Sequence, residues 1–289
     1  MSQTESQSQP QAGRPRRSPM VAVIIGVAVL ALLAAAGVWT WKSFKDVRTE
    51  QLSDSYDAPL TRVDLDGDAG DVTVTVTDTD AVIVDKELSY NEDKPKSEET
   101  VSGETLTIRA TECSGPSLGF NHCHINYRIQ VPADVALDIT TDSGEIDTED
   151  VTADQKLHAD SGNIRVDDAG GEAELETDSG DIEAHGVAGG FTATADSGNI
   201  TADGLRSTSA TANADSGDID LGFDVSPDEI KSIAESGGVT ITVPEDGESY
   251  DVDVTTDSGD QDIQVTSDSA SDKKITAEAD SGDVTIQTR

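Results

Sequence analysis

A short tripeptide, Asp-Ser-Gly, recurs through the second half of this 289-residue chain. Successive copies are 18, 18, 18, 19, 20, 22 and 23 residues apart, and Glu replaces Asp in one of them. A motif at nearly fixed spacing is typical of repeat architectures, in which each unit buries its apolar side only by stacking on its neighbours. The spacing therefore predicts a stack of similar units.

The parity of the apolar positions changes at each glycine of the motif. In one unit, Leu157 and Ala159 share one parity, whereas Ile164 and Val166, which follow Gly162, share the other. Because successive side chains of a strand point to opposite faces, the chain must turn at each Ser-Gly and enter a second strand. The sequence predicts an all-β chain folded as a parallel β-solenoid, with coils of roughly 18–23 residues.

Like corners would stack on one another about 4.8 Å apart, the ordinary distance between strands. Glycine suits such a corner because it adopts positive φ without a Cβ clash. We expect the serines to form an inner stack and the aspartates to cap the amides of the bend from outside. The predicted structural corner residues are Ser143, Gly144, Ser161, Gly162, Ser179, Gly180, Ser197, Gly198, Ser216, Gly217, Ser236, Gly237, Ser258, Gly259, Ser281 and Gly282.

The outer aspartates have two interpretations. Stacked carboxylates repel, so they must be solvated, hydrogen-bonded to corner amides, or bridged by cations. Calcium takes carboxylate oxygens as ligands, although the GGxGxD pattern of calcium-binding solenoids is absent. Weak calcium binding is thus an alternative to a purely structural role, and no other cofactor is predicted. The candidate metal ligands are Asp142, Asp160, Asp178, Asp196 and Asp215.

The N-terminal segments predict a membrane anchor. Residues 1–19 form a polar tail with three arginines, and residues 20–41 are 22 uncharged, mostly apolar residues, enough to cross a bilayer as one helix. The arginines favour a single-pass protein of the cell membrane with a disordered cytoplasmic tail and the bulk of the chain outside. A cleaved secretory signal is the alternative, and it also exports the chain. We expect a stalk at 42–58, an N-terminal β region at 59–132 and the repeat solenoid at 133–289.

Both cysteines of the chain, Cys113 and Cys123, lie in one loop. An even number of cysteines in an exported protein favours a disulfide between them. A metal site that also includes His122 and His124 is the alternative, although the usual C-x-x-C spacing is absent.

Several segments resemble a bacterial family of membrane-anchored or secreted β-solenoids, the "putative adhesin" domain of unknown function with Ser-Gly-Asp-Ile repeats. These segments are residues 125–132 (INYRIQVP), 178–182 (DSGDI) and 215–219 (DSGDI), after an N-terminal apolar anchor. The resemblance covers roughly residues 60–289. It implies surface adhesion and brings no catalytic residues to carry over.

Charge and motif content narrow the function classes. The formal net charge is -39 with 19 basic residues, which excludes nucleic acid as a partner because phosphate contacts need clustered Lys and Arg. Eight equivalent serines argue against a single catalytic nucleophile, and His158 and His185 have no consistent partner. We predict a non-catalytic surface protein, an adhesin or an envelope interaction module. Its partners would be the membrane, through residues 20–41, and an envelope or host surface component.

Two other functions stay open. The chain could be an envelope-stress sensor or regulatory membrane protein, with the solenoid outside and the tail as a cytoplasmic contact. It could also be a carbohydrate-active β-helix enzyme that uses paired carboxylates. A sugar cleft calls for aromatic platforms, and the aromatic residues between 133 and 289 are Phe191, Phe223 and Tyr250 alone.

Overall fold

The structure is a computed structural model that describes residues 47–91, 94–111 and 123–289. The described residues contain no α-helix and form two sheets of 12 strands each. The predicted all-β class is confirmed, and the two largely parallel sheets agree with a β-solenoid. The strands are β1 (Arg48–Tyr56), β2 (Arg62–Ala69), β3 (Val72–Val76), β4 (Val82–Tyr90), β5 (Lys96–Ser102), β6 (Thr105–Thr111), β7 (Cys123–Val131), β8 (Ala136–Ser143), β9 (Ile146–Glu149), β10 (Gln155–Ser161), β11 (Ile164–Asp167), β12 (Ala173–Ser179), β13 (Ile182–His185), β14 (Phe191–Ser197), β15 (Ile200–Leu205), β16 (Ser209–Ser216), β17 (Ile219–Phe223), β18 (Glu229–Ser236), β19 (Val239–Val243), β20 (Ser249–Ser258), β21 (Gln261–Ile263), β22 (Thr266–Ser267), β23 (Lys274–Ser281) and β24 (Val284–Thr288).

Each regular coil consists of one strand from each sheet, joined at an Asp-Ser-Gly corner. The parallel pairing keeps equivalent residues in register, so Leu157 of β10 pairs with Leu175 of β12, and Ile164 of β11 pairs with Ile182 of β13. Buried and exposed residues alternate along both strands, and the buried set consists almost entirely of Val, Ile, Leu and Ala. The alternation of apolar residues thus builds a thin core between the two sheets.

A second bend follows the short strands β9, β11 and β13, and the equivalent position in the next coil, Gly204, lies near the end of β15. Asp150 and Asp168 adopt positive φ there, at 64° and 54°, and Gly186 and Gly204 occupy the same place in later coils at 71° and 64°. The next residue is apolar and buried, as at Val151, and its carbonyl accepts a hydrogen bond from the following coil. Aspartate tolerates the left-handed region better than most residues, which explains the Asp/Gly exchange at this bend.

Antiparallel strands cover the N-terminal end of the solenoid. β4 pairs antiparallel with β7 and with β1, and β5 pairs antiparallel with β6. Residues 48–56 lie within the predicted stalk at 42–58, but they form β1 and are hydrogen-bonded into the sheet. The stalk prediction therefore differs from the structure over these nine residues, because the alternation there is too weak to signal a strand.

The stacking order departs from chain order at both ends. The last strands, β23 and β24, lie between two coils that precede them in sequence: β23 between β18 and β20, and β24 between β19 and β21. In the same way, β2 lies between β6 and β8.

Two basic side chains flank the inserted C-terminal pair, β23 and β24. Lys273 Nζ donates to Asp228 at 2.9 Å, and Arg289 donates to Asp203 and to Asp224, the latter at 2.7 Å.

Within the described ranges, no helix is long and apolar enough to cross a membrane. The predicted tail at 1–19 and the predicted span at 20–41 lie outside those ranges.

Candidate interaction surface at the Asp-Ser-Gly corners

The corner glycines form a column in which successive backbones touch. A Cβ atom added to Gly180 would lie 2.0 Å from the carbonyl oxygen of Gly162, and one added to Gly198 would lie 1.8 Å from that of Gly180. Both distances are far inside van der Waals contact. Glycine is required here mainly by the close approach of neighbouring coils, more than by its φ, which lies near the extended range at +157° in Gly198.

The prediction that the serines form an inner stack is wrong. Ala159, which precedes the motif at Asp160, is fully buried, whereas Asp160 and Ser161 are both exposed. Two consecutive outward residues mean that the chain already bends at the Asp-Ser step, so the parity of the strand cannot be extended to the serine. The same pattern of exposed acid and exposed serine holds at residues 142–143, 160–161, 178–179, 196–197, 215–216, 235–236, 257–258 and 280–281.

The backbone amides of the corners donate hydrogen bonds to both neighbouring coils. The acceptors are carbonyls of the next coil and, in the previous coil, the side chain of the residue that follows the glycine. The Gly180 amide donates to the carbonyl of Ser197 at 3.1 Å, and the Ile182 amide donates to the carbonyl of Asn199 at 2.9 Å. Between them, the Asp181 amide donates to the side-chain Oδ1 of Asn163, one coil earlier, at 2.9 Å. Capping therefore falls to the Asn or Asp that follows the glycine and not, as predicted, to the aspartate before the serine.

These capping residues form a second column, which we call the Asx ladder. Asn163, Asp181, Asn199 and Asp218 each accept a hydrogen bond from the backbone amide at the same position of the next coil, at 2.7–3.0 Å. Charged and neutral side chains alternate here, which keeps like charges out of adjacent coils. An Asn or Asp follows six of the eight corner glycines in the sequence, the exceptions being Glu145 and Gly238, and this period could have revealed the ladder. Its members are Asn126, Asp71, Asn163, Asp181, Asn199, Asp218 and Asp283.

The acids before the serines form a separate, exposed column, which we call the acidic ladder. Burial, followed by the charges of Asp160, Asp68 and Asp66, raises the pKa of Asp142. Its members gain little from basic neighbours, although Asp160 lies 2.9 Å from His158 Nε2. In stacking order the acidic ladder comprises Asp142, Asp160, Asp178, Asp196, Asp215, Glu235, Asp280 and Asp257.

The described residues do not bring the predicted metal ligands together into a binding site. Among the described residues, no group of three or more His, Cys, Asp or Glu side chains is arranged to hold a metal ion. Cys113 and His122 lie outside the described ranges, while Cys123 and His124 begin β7. The disulfide and its metal-site alternative both remain predictions.

A buried ionic cluster, unforeseen from the sequence, joins the capping strands at the N-terminal end. Lys86 of β4 is 5% exposed and donates to Glu99 of β5 and, at 2.8 Å, to Asp54 of β1. Tyr56 also donates to Glu99, at 2.6 Å. Burial and the hydrogen bond to Glu99 raise the pKa of Tyr56. Because its members come from both sheets, the cluster fastens the cap and is structural in character.

The surface of residues 133–289 presents no aromatic platform. Phe191, Phe223 and Tyr250, the aromatic residues of this fully described segment, are 2%, 0% and 2% exposed. They fill the core and are not free to stack on a sugar ring.

The family model of the Toastrack domain, "Toastrack DUF4097", matches residues 60–287. This chain belongs to the Toastrack DUF4097 family. The Toastrack domain contains the corner glycines, the acidic ladder and all but the first strand of the described fold. No curated protein matches the chain.

Three solved structures are similar to the Toastrack chain at low identity. A "putative adhesin" from Bacteroides fragilis is 15% identical, covers 83% of this chain with 97% of its own, and has a TM-score of 0.48. A "putative lipid binding protein" from Parabacteroides distasonis is 14% identical, covers 85% of this chain with 97% of its own, and has a TM-score of 0.46. A "putative adhesin" from the same organism is 13% identical, covers 84% of this chain with 97% of its own, and has a TM-score of 0.39. At such identity, no ligand or partner passes from them to this chain.

Proposed function

We propose that this Toastrack protein is a non-catalytic surface protein, an adhesin or envelope interaction module, displayed outside the cell membrane. Residues 20–41 would anchor it, with the N-terminus in the cytoplasm. The observation that supports the proposal best is the acidic ladder, a column of exposed carboxylates flanked by exposed serines in successive coils. A repetitive, cationic polymer or surface is the partner that fits it.

Three features make the acidic ladder suited to binding. Its carboxylates are not needed for the corner amides, which are satisfied by backbone carbonyls and the Asx ladder. The register of the coils sets a spacing of about 4.8 Å between neighbouring carboxylates. Finally, like charges at this spacing repel, and a cationic partner would relieve that repulsion, so binding and electrostatics act in the same direction.

The contacts of the histidine beside a corner serine argue against a hydrolase. His158, two residues before the corner aspartate Asp160, contacts Asp160 at 2.9 Å and Glu176 at 3.7 Å. A serine nucleophile needs a base oriented towards its hydroxyl, and His158 is engaged by carboxylates instead. The buried aromatic residues also remove the usual support for a sugar substrate.

The test is a binding assay with the full-length chain in detergent micelles, using immobilised poly-L-lysine as the probe. The acidic-ladder variant carries Asp142→Asn, Asp160→Asn, Asp178→Asn, Asp196→Asn and Asp215→Asn. The matched control removes five other exposed carboxylates through Asp134→Asn, Glu149→Gln, Glu172→Gln, Glu229→Gln and Glu245→Gln. Both variants change the net charge equally.

We expect the acidic-ladder variant to lose at least about tenfold in affinity and to show a weaker salt dependence, while the control loses little. Equal losses in the two variants would mean that only net charge matters, and would contradict the proposal. Millimolar calcium added to the same assay tests the cation alternative, since calcium held by the acidic ladder would compete with lysine.

A further inference from the structure

The two ends of the solenoid differ in how their sheet edges are covered. At the N-terminal end, the antiparallel strands β1, β4 and β5 lie outside the coils. At the C-terminal end, the outermost coil consists of β20 and β21, which pair in parallel with β23 and β24. Among the described residues, only the two-residue strand β22 pairs with the outer side of β20, at Ser249 and Tyr250. The outer edges of residues 251–258 and of β21 are therefore unpaired by any described strand.

The apolar side of this last coil is partly open to solvent. Val252 pairs in register with Ile275, which is fully buried, yet Val252 itself is only half-buried. Ile263 is 42% exposed, whereas its partner Ile286 is fully buried. The side chain of Gln261 reaches across to the Val254 carbonyl at 3.5 Å, which is a long and weak contact. Within the described part of the chain, no strand pairs with the outer edge of residues 251–258 or of β21, and the core is partly open there.

The charges at this end select the occupant. Residues 249–272 contain no Lys or Arg, and Asp253, Asp257, Asp260 and Asp262 are all exposed. A second copy of the chain would bring aspartates against aspartates at the same edge. On its inner side, Asp251 of β20 is already paired in register with Lys274 of β23, so the fold itself places a lysine beside this strand. A segment with a basic residue on the outer side would repeat this pairing.

We propose that the C-terminal end of the solenoid is a docking surface for an extended segment of another protein that carries Lys or Arg. That segment would add a strand to the outer edge of β20 or β21. Main-chain hydrogen bonds to the open edge would supply much of the affinity, and alternate apolar side chains would cover Val252 and Ile263. Its basic residues would face Asp253 on β20 or Asp262 on β21, which are exposed and lie outside the acidic ladder.

The experiment uses the full-length chain in detergent and the fluorescent peptide Thr-Lys-Val-Lys-Val-Thr-Val-Lys-Thr. Glutamate replaces lysine in one control peptide, and alternate backbone amides are N-methylated in another. Asp253→Lys with Asp262→Lys alters the edge at two residues outside the acidic ladder, whereas Asp178→Lys with Asp196→Lys makes the same charge change on the acidic ladder away from this end. Anisotropy reports affinity, and hydrogen exchange locates protected amides.

We expect the lysine peptide to protect amides of β20 and β21 and the edge variant to lose about tenfold or more in affinity, with both control peptides binding weakly. The acidic-ladder pair should change affinity little. Loss of binding in the acidic-ladder pair, without protection at β20 and β21, would overturn this inference while supporting the acidic ladder as the binding surface. Concentration-dependent dimers that protect β20 in the absence of peptide would also overturn it, because a second copy would then be the occupant.

Discussion

The side-chain Oδ1 of Asn199 lies 3.0 Å from the backbone nitrogen of Asp218, one coil further along the solenoid, and accepts its hydrogen bond. The backbone amide of Asn199, in turn, donates to the side-chain Oδ1 of Asp181 at 2.7 Å. Each member of the Asx ladder therefore uses its backbone for one neighbouring coil and its side chain for the other. The corners are linked from coil to coil independently of the two sheets.

Replacing Asn199 with alanine should destabilise the chain by about 0.5–1.5 kcal/mol, because the Asp218 amide loses its acceptor. Asp196→Ala, three residues earlier in the same corner, is the matched control and should change stability little, since Asp196 is exposed and caps no amide. Urea unfolding followed by circular dichroism measures both. Equal effects would show that the Asx ladder contributes nothing specific.

Gly198→Ala should cost about 1–3 kcal/mol or more, because the added methyl group would meet the backbone of Gly180, which cannot move without shifting a whole coil. Gly190→Ala is the control, since its nearest contact is the Glu172 side chain at 3.6 Å. Thermal unfolding should show a clear drop in Tm for the first variant only. A similar Tm for both would contradict the tight stacking of corner backbones.

Asp142→Asn should stabilise the chain at neutral pH by about 0.2–1 kcal/mol, the range for exposed charge interactions. Burial and neighbouring acids raise the pKa of Asp142 in the folded state, so the folded state holds a proton more tightly than the unfolded state. Stability from this group is present below the unfolded pKa and is lost as pH rises through the folded pKa. The advantage of the variant should therefore shrink as pH falls towards the unfolded pKa near 3.8. An advantage independent of pH would contradict this origin.

Glu99→Gln should destabilise the N-terminal cap by about 1–3 kcal/mol, because Lys86 and Tyr56 lose a charged acceptor in a buried place. Glu98→Gln is the control, since the neighbouring Glu98 is exposed. Hydrogen exchange should speed up in β1 and β5 but not in β12 or β14. Uniform acceleration over the whole chain would argue against a local role for the cluster.

The sequence predicts the repeat well and the details of each corner poorly. The parity of the apolar positions changes at Gly162 and at the equivalent glycines, and this change locates the corners because a strand cannot change faces without bending. Extending that parity through Asp160 to Ser161 fails, since the bend begins one residue earlier than the glycine. The amide contacts of Asn163 depend on the offset between coils, which a single repeat does not encode.

The ends of the solenoid are beyond prediction from the repeat for a similar reason. The spacing of the corners at Gly237, Gly259 and Gly282 says that three coils exist but not that the third lies between the other two. Likewise, β1 lacks an alternating pattern because it is exposed on most of its length and is held by backbone pairing with β4. Stacking order and edge pairing are tertiary properties.

Binding as a function of ligand length tests the acidic ladder most directly. Its eight acids span seven steps of about 4.8 Å, or about 34 Å, which an extended lysine oligomer of about ten residues would match. We predict that the affinity of the full-length chain for oligolysines of two to sixteen residues rises steeply up to about ten residues and then levels off, and that the acidic-ladder variant lacks this rise. An affinity that increases equally in the acidic-ladder variant and in the wild-type chain would contradict the account.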